Sequence, residues 1–130
     1  MAVSEAQVGN MTEHEKLFNE WVERLGLTDW HFTFKTNVRP ENMGVPDAEG
    51  CTLWTESTKC AWIDIIDEKF IPETATARPF DFERTLVHEL LHCKLSLLGG
   101  EKDSLQDRVC HAIIDDLARA FVDAKRSGGK

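Results

Sequence analysis

Residues 85–93, with the sequence TLVHELLHC, place two histidines four positions apart and a glutamate directly after the first. On an α-helix, residues four apart lie on one face about one turn apart, so His88 and His92 can bring two ring nitrogens to one ion. The carboxylate of Glu89 can then reach a water that the same metal activates, the arrangement in which a glutamate is a general base and not a ligand. The stretch therefore predicts a metal site with a base beside it.

The sequence around this motif is typical of a buried helix. Residues 80–98 contain no Gly or Pro and are apolar nearly all the way round a helical wheel. We expect a helix from near Asp81 to Leu98, ended by Gly99 and Gly100. The alternative is that both histidines are ordinary residues of a core helix. It is disfavoured because a buried helix that contains three polar residues close together usually has a function for them.

Composition limits the classes of function. A chain of 130 residues can form one domain with its own core, and we expect a single domain over residues 1–130 with loose termini at about 1–11 and 126–130. The net charge of -8 and the lack of a basic cluster argue against a general affinity for nucleic acid or anionic lipid. No apolar run is long enough for a membrane span and the N-terminus has no export signal, so we expect a cytoplasmic protein.

The four cysteines form no C-x-x-C pair, so neither a zinc ribbon nor a thioredoxin-type redox site is predicted. We expect core thiols in a reducing compartment. Cys51 and Cys60 could lie across a hairpin from each other and form a bridge in an oxidising environment.

The residues before the motif predict one helix and three strands. Thr12 and Glu15 have the spacing of a capping box, and an amphipathic helix follows that Gly26 ends. His14 lies on its first turn and is interpreted as a solvated residue. Residues 30–35 alternate as a strand in which His31 has a structural role, and residues 51–55 and 60–66 predict an antiparallel hairpin with a turn at 56–59.

A last helix is predicted after the motif. Ser104 and Asp107 resemble an N-terminal cap, and an apolar stripe continues to about Lys125; its members are Leu105, Val109, Ile113, Leu117 and Phe121. The expected fold class is therefore α+β: an N-terminal helix, a small, mostly antiparallel sheet of about three strands, the motif helix and a C-terminal helix.

A catalytic zinc generally takes three protein ligands, so a third must come from outside the motif. Asp107, His111 and Asp115 form a row on the last helix, each one turn from the next and beside the apolar stripe. We favour His111, because imidazole is a good zinc ligand, over Asp107, which can instead cap the helix. Asp115 would then accept the other ring proton of His111. The competing interpretation of His111 is a solvated surface histidine.

The motif resembles the active-site helix of the zincin metallopeptidases. The order of elements from about Thr12 to Val122 is similar to that of the compact minimal zincins found in phages and bacteria. In the gluzincin branch a downstream Glu is the third ligand, with eighteen residues between it and the second His, and His111 occupies that position here. The SprT-like branch uses a His at a shorter spacing, which falls near Asp107.

The resemblance implies one Zn²⁺ held by His88 and His92, and peptide-bond hydrolysis with Glu89 as general base. For the third ligand the two branches point to different positions, and of these we favour His111 over Asp107. It also implies that a peptide or protein substrate adds along the hairpin strand 61–66, with the loop 67–79 near the cleft. Many zincins stabilise the oxyanion of the tetrahedral intermediate with a Tyr or His, and this chain has no Tyr. The oxyanion would then be stabilised by His14, His31, Arg84 or the metal alone.

Two other functions compete with this one. A zinc-bound, non-catalytic interaction protein, such as a viral or host-directed binder, would keep the site without cleaving peptides, and four Trp could provide its binding surface. A DNA-directed protease of the SprT type would need a basic strip or a zinc ribbon, and the sequence shows neither.

Overall fold

The computed structural model of the chain describes residues 11–44, 48–71, 79–98 and 100–128. The helices are α1 (Glu13–Arg24), α2 (Phe82–Lys94) and α3 (Leu105–Gly128), and the strands are β1 (His31–Val38), β2 (Gly50–Thr55) and β3 (Cys60–Ile66). The predicted α+β class is confirmed. Most of the leader expected to be loose lies outside the described residues. No helix in the described segments is long and apolar enough to span a membrane.

Helix α1 begins and ends as its sequence predicts. The Thr12 side chain accepts a hydrogen bond from the Glu15 amide, and Glu15 accepts one in return from the Thr12 amide. Gly26, with a φ of 68°, follows the helix in the left-handed conformation that favours glycine.

His14, on the first turn of α1, is packed, so its interpretation as a solvated residue is wrong. Its Nδ1 lies 2.7 Å from the Thr36 hydroxyl, and its ring stacks on Phe82 with 3.6 Å between ring centroids. The physical reason is that β1 and the start of α2 both pass beside this turn.

The sheet is mixed, and the expectation of a mostly antiparallel sheet is wrong. Its strand order is β1-β3-β2, with β3 parallel to β1 and antiparallel to β2. The predicted hairpin is present, but β2 lies at the far edge, so the hairpin returns β3 into the middle beside β1. Both sides of β3 are therefore occupied, and the edge strands are β1 and β2. Residues 61–66 cannot be the edge along which a substrate adds.

The register of the hairpin separates Cys51 from Cys60. Cys51 lies opposite Asp64, and Cys60 lies opposite Thr55, four residues away along β3. This separation is too long for a bridge within the hairpin, and both thiols are free.

Helix α2 lies at the centre of the molecule. Its residues Leu86, Val87 and Leu90 are fully buried against the inward face of β3, against α1 and against α3; the core as a whole contains Phe18, Trp21, Val22, Leu27, Trp30, Ala61, Ile63, Ile65, Leu86, Val87, Leu90, Leu91, Cys93, Ile114, Ala118 and Val122. The helix ends at Lys94 and not at Leu98 as expected. Leu95 leaves the helical conformation, and Leu97 and Leu98 form a turn that no described element covers.

Helix α3 packs through a different face from the predicted stripe. The Ser104 hydroxyl accepts from the Asp107 amide, so the predicted cap is confirmed. The buried residues, however, are Ile114, Ala118 and Val122, whereas Leu105, Val109, Ile113 and Phe121 are exposed and Leu117 is half-buried. Small Ala118 lets α3 approach α2 closely, which the bulkier stripe would not.

Helix α3 continues past Lys125 to Gly128, and ion pairs hold its last turn. Arg126 donates two hydrogen bonds to Asp81, the N-cap of α2, at 2.7 and 3.0 Å. It also donates to Glu83, a buried carboxylate that accepts from Lys125 and, at 2.6 Å, from the indole of Trp21. This Glu83 cluster joins α1, α2 and α3.

We predict that Glu83→Gln destabilises the protein by about 2 kcal/mol at pH 7, because charge-assisted hydrogen bonds are lost in a buried setting. Burial alone would raise the pKa of Glu83, but the hydrogen bonds from Lys125 and Trp21 outweigh it and hold the pKa below its ordinary value. Because the native pKa is lowered, the ionised Glu83 stabilises the fold fully above its ordinary pKa of about 4.5. This stability is lost as the pH falls from there through the lower native pKa.

Urea denaturation of both proteins from pH 7 to pH 3 tests this, and the difference in unfolding free energy should shrink below about pH 4.5. The matched control is Glu13→Gln, on an exposed carboxylate that pairs only with Lys16 among the described contacts. A difference that is independent of pH would contradict the assignment of an ionised Glu83.

Candidate metal centre

Three histidines from two helices converge at one point on the surface of α2. One ring nitrogen from each of His88, His92 and His111 lies within 4.8 Å of the other two. The ring centroids are 5.1 Å apart for His88 and His92 and 4.7 Å apart for His92 and His111. These are the three residues that the sequence favours as ligands, and the cluster contains neither Asp107 nor Asp115 among the described residues.

The packing of α3 brings His111 to this position. Ile114 and Ala118 are one and two turns further along the helix on the face that packs against α2, and His111 lies on the same side of the helix. The row that contains His111 is therefore within the packing face and not beside it. On the other side of the cluster, Trp54 of β2 stacks against His92 with 5.8 Å between ring centroids.

The two motif histidines are held in the neutral form that binds metals. Burial lowers the pKa of His92 to about 4, and the nearby His88 and His111 rings act in the same direction. Burial also lowers the pKa of His88, although the Asp115 carboxylate partly opposes it. Neutral imidazole is the ligating species, so no proton has to be displaced from either ring at pH 7.

The geometry of the cluster fits a tetrahedral zinc ion. Zinc–nitrogen bonds of about 2.0–2.1 Å place the ligand atoms of such a site roughly 3.3 Å apart. The nitrogens need to approach by about 1.5 Å at most, a movement within the range of χ rotations of His side chains. The set of three imidazoles matches one of the common donor sets of catalytic zinc.

Two carboxylates, Asp107 and Asp115, lie beside the histidine cluster, and each contacts a different histidine from the one expected. Asp115 was expected to contact His111, but its Oδ1 lies 3.7 Å from Nδ1 of His88. Asp107 instead lies beside His111, with 3.5 Å between Oδ1 and Nε2, and also accepts from the Asp103 amide. The reason is that residues 111 and 115 are one turn apart, so His111 and Asp115 lie beside different turns of α2. Each carboxylate can fix the orientation of one ring.

Glu89 lies beside the cluster in a nearly closed environment. It is only 6% exposed, and its Oε1 accepts a hydrogen bond of 2.6 Å from the Thr52 hydroxyl of β2. Burial raises the pKa of Glu89 to about 7, while the Thr52 hydrogen bond acts in the opposite direction. A carboxylate with a pKa near neutrality can both accept and return a proton, as general acid–base catalysis requires.

β2 approaches Glu89 so closely that a glycine is needed at position 50. A Cβ atom there would lie 2.8 Å from Oε2 and 2.9 Å from Cγ of Glu89. Gly50, Thr52 and Trp54 therefore form the strand side of the site. These three residues carry no signal in the sequence, because no local pattern reveals which helix residue a strand will face.

A cavity of about 460 Å³ opens beside Glu89 and His88. It is large enough for a peptide side chain or a small ligand. Its lining includes Pro79, which ends the loop expected near the cleft; residues 72–78 of that loop lie outside the described residues. Of the side chains considered for the oxyanion, Arg84 lines this cavity one turn before His88, while His14 contacts Thr36 and Phe82.

Comparison of the chain with known protein families, with curated proteins and with solved structures finds no match. The resemblance to zincins therefore depends on the motif of residues 88–92 and on the order of elements around it.

We predict that replacement of any of the three histidines by Ala weakens zinc binding by more than about 1,000-fold, whereas Asp107→Ala and Asp115→Ala weaken it by about 10- to 100-fold. Competition with a zinc chelator and elemental analysis after dialysis measure both effects. His31→Ala, on the exposed side of β1, is the control. Retention of zinc by the His111 variant together with its loss in the Asp107 variant would assign the third ligand to Asp107.

We also predict that Thr52→Val raises the pKa of Glu89 above about 7, because it removes the hydrogen bond that favours the ionised carboxylate. Carbon-13 NMR titration of the Glu89 carboxyl group in the metal-free protein measures this pKa. Thr55→Val, an exposed position on the same strand, is the control. An unchanged or lower pKa in the Thr52 variant would contradict the role given to this hydrogen bond.

Proposed function

We propose that this protein is a zinc-dependent metallopeptidase with a zincin-like fold. One Zn²⁺ would be held by His88, His92 and His111. The observation that carries the proposal is the convergence of these three imidazoles beside Glu89, a buried carboxylate with a pKa of about 7. A set of three metal ligands with an adjacent base of matched pKa is the combination that hydrolytic zinc sites require.

The residues of the chain have separate roles in this proposal. A bound zinc ion supplies Lewis acidity, which polarises the scissile carbonyl and makes water more acidic. Glu89 removes a proton from the attacking water and passes it to the leaving nitrogen, so its carboxyl group is ionised before attack and protonated after it. Asp115 and Asp107 orient the rings of His88 and His111.

The outer edge of β2, which no other described strand covers, is the best candidate for substrate binding. It is an edge strand, and it carries both Thr52, which contacts Glu89, and Trp54, which stacks on His92. An extended peptide that adds to this edge forms main-chain hydrogen bonds and passes the ligand cluster. The cavity beside Glu89 can accept one of its side chains. The four cysteines are free, which agrees with the cytoplasmic location that we propose.

A non-catalytic zinc protein is the second candidate, and one observation favours it. Leu53 and Trp62 are paired across β2 and β3 on the sheet face opposite the helices, and both are well exposed. An exposed apolar pair of this kind is typical of a binding surface. Both candidates predict zinc binding, so only hydrolysis distinguishes them.

We predict that Glu89→Gln keeps the fold and the zinc content but lowers kcat/KM on cleavable peptides by about 1,000-fold or more, because the general base is lost. A peptide library incubated with the zinc-loaded protein and analysed by mass spectrometry provides the assay. Glu56→Gln, in the exposed turn of the hairpin, is the matched control. Full activity of the Glu89 variant would remove Glu89 from the role of base. No cleavage by the zinc-loaded wild type across the library would favour the non-catalytic protein.

A further inference from the structure

The cavity beside Glu89 is lined by more acidic than basic residues. It lies between the start of β2, helix α2 and the middle of α3, and its volume of about 460 Å³ leaves room for a long side chain. Because His88 and Glu89 belong to its wall, a group bound in the cavity lies next to the metal centre. The charged part of the lining consists of four carboxylates and two guanidiniums: Glu49, Asp81, Glu89, Asp115, Arg84 and Arg119.

Both arginines of the cavity are already paired with carboxylates of α3. Arg84 donates a hydrogen bond of 2.7 Å to Asp123, and Arg119 donates one to Asp116. Pairs of this kind combine opposite charge with directional hydrogen bonds. An anionic group that entered the cavity would therefore have to compete with the carboxylates that the arginines already hold.

Three of the four carboxylates in the lining have partners or a proposed role. Asp81 accepts two hydrogen bonds from Arg126. Asp115 contacts the histidine cluster at 3.7 Å, and Glu89 is the base that we propose beside the metal. The negative charge that remains in the wall of the cavity is that of Glu49.

Glu49 lies directly before Gly50, the position at which β2 passes against Glu89. Its carbonyl oxygen accepts a hydrogen bond of 2.9 Å from the Ile66 amide, so strand pairing holds its backbone in place. Its carboxylate forms no hydrogen bond or ion pair with any residue in the described part of the chain, where burial alone shifts its pKa and raises it. A half-buried carboxylate without a cation is unfavourable, and a cationic ligand would relieve this.

We propose that the cavity binds a cationic group of a peptide, an ammonium or a guanidinium, and that Glu49 pairs with it. The net charge of -8 on the chain favours the approach of a cationic peptide over an acidic one. Selection of substrates by this group rests on the proposed function, because only a metal centre that hydrolyses peptides would cleave beside the bound cation. Binding of the cation itself does not require hydrolysis.

Peptide binding to the zinc-loaded Glu89→Gln protein tests this pairing without cleavage. The substitution also removes the other carboxylate of the cavity that has no basic partner among the described residues. The probes are N-acetylated alanine pentapeptide amides with one arginine at each position in turn, and their counterparts with citrulline, which has the shape of arginine without its charge. NMR titration at pH 8 with up to about 5 mM peptide measures the dissociation constants.

We expect at least one arginine peptide to bind about 10-fold more tightly than its citrulline counterpart, because it gains a charge-assisted hydrogen bond in a partly buried site. Adding Glu49→Gln, which is nearly isosteric, should abolish this preference. Adding Glu56→Gln instead removes the same charge in the exposed turn after β2 and should keep the preference. A loss confined to the charged probe is a coupling between two charges, which a change of fold alone would not produce.

A second pair of probes identifies the source of the cation. Alanine pentapeptide amide with a free α-amine is compared with its acetylated form, and a preference that depends on Glu49 in either pair supports the proposal. Equal or undetectable binding within both pairs overturns it, as does a preference that Glu49→Gln leaves intact. Tighter binding of the matching glutamate peptides would assign the cavity to an acidic group held by Arg84 or Arg119, and overturns it as well.

Hydrolysis of the same peptides by the zinc-loaded wild type is measured separately. Binding that is selective for the cation without any cleavage would leave the pairing with Glu49 standing and refute the catalytic proposal. Cleavage with no dependence on Glu49 would refute the pairing alone.

Discussion

The structure depends on the burial of one helix that carries polar residues. α2 is enclosed by the sheet, by α1 and by α3, so most of its surface must be apolar. His88, Glu89 and His92 can then lie only where β2 and α3 leave a gap. Glu89 faces the strand and takes its hydrogen bond from Thr52, while the two histidines face α3 and meet His111. The position of the site is thus a direct consequence of how α2 is packed.

The two buried glutamates of α2, Glu83 and Glu89, lie in different electrostatic environments. Glu83, near the start of the helix, is ionised and held by Lys125, Arg126 and Trp21, which lower its pKa. Glu89, less than two turns later, has a neutral hydroxyl as its only hydrogen-bond partner among the described residues, and burial raises its pKa to about 7. A fully paired carboxylate stabilises a fold, whereas an incompletely paired one is available for proton transfer. The contrast distinguishes Glu83, which holds three helices together, from Glu89, which we propose as the general base.

Features encoded by short sequence patterns were predictable, and features that depend on distant contacts were not. The capping box of α1, the hairpin and the helical motif follow from residues a few positions apart. The parallel pairing of β1 with β3 does not, since it depends on where the long connection after β1 places β2. The two histidines in the motif were recognisable as candidate ligands from their spacing. Thr52 and Gly50 carry no such signal, because their role arises only when β2 meets α2.

The choice of face on α3 shows how packing and metal chemistry are connected. The sequence contains two apolar faces on this helix, and periodicity alone cannot decide which one is buried. If Leu105, Val109 and Ile113 packed inward, a rotation of about 160° would direct His111 away from α2 and leave His88 and His92 without it. Only the observed rotation completes the cluster. A metal bound by all three histidines would stabilise this arrangement over the alternative, by the free energy of the third ligand bond. In a chain with two comparable apolar faces on its last helix, such a metal would help to specify the fold.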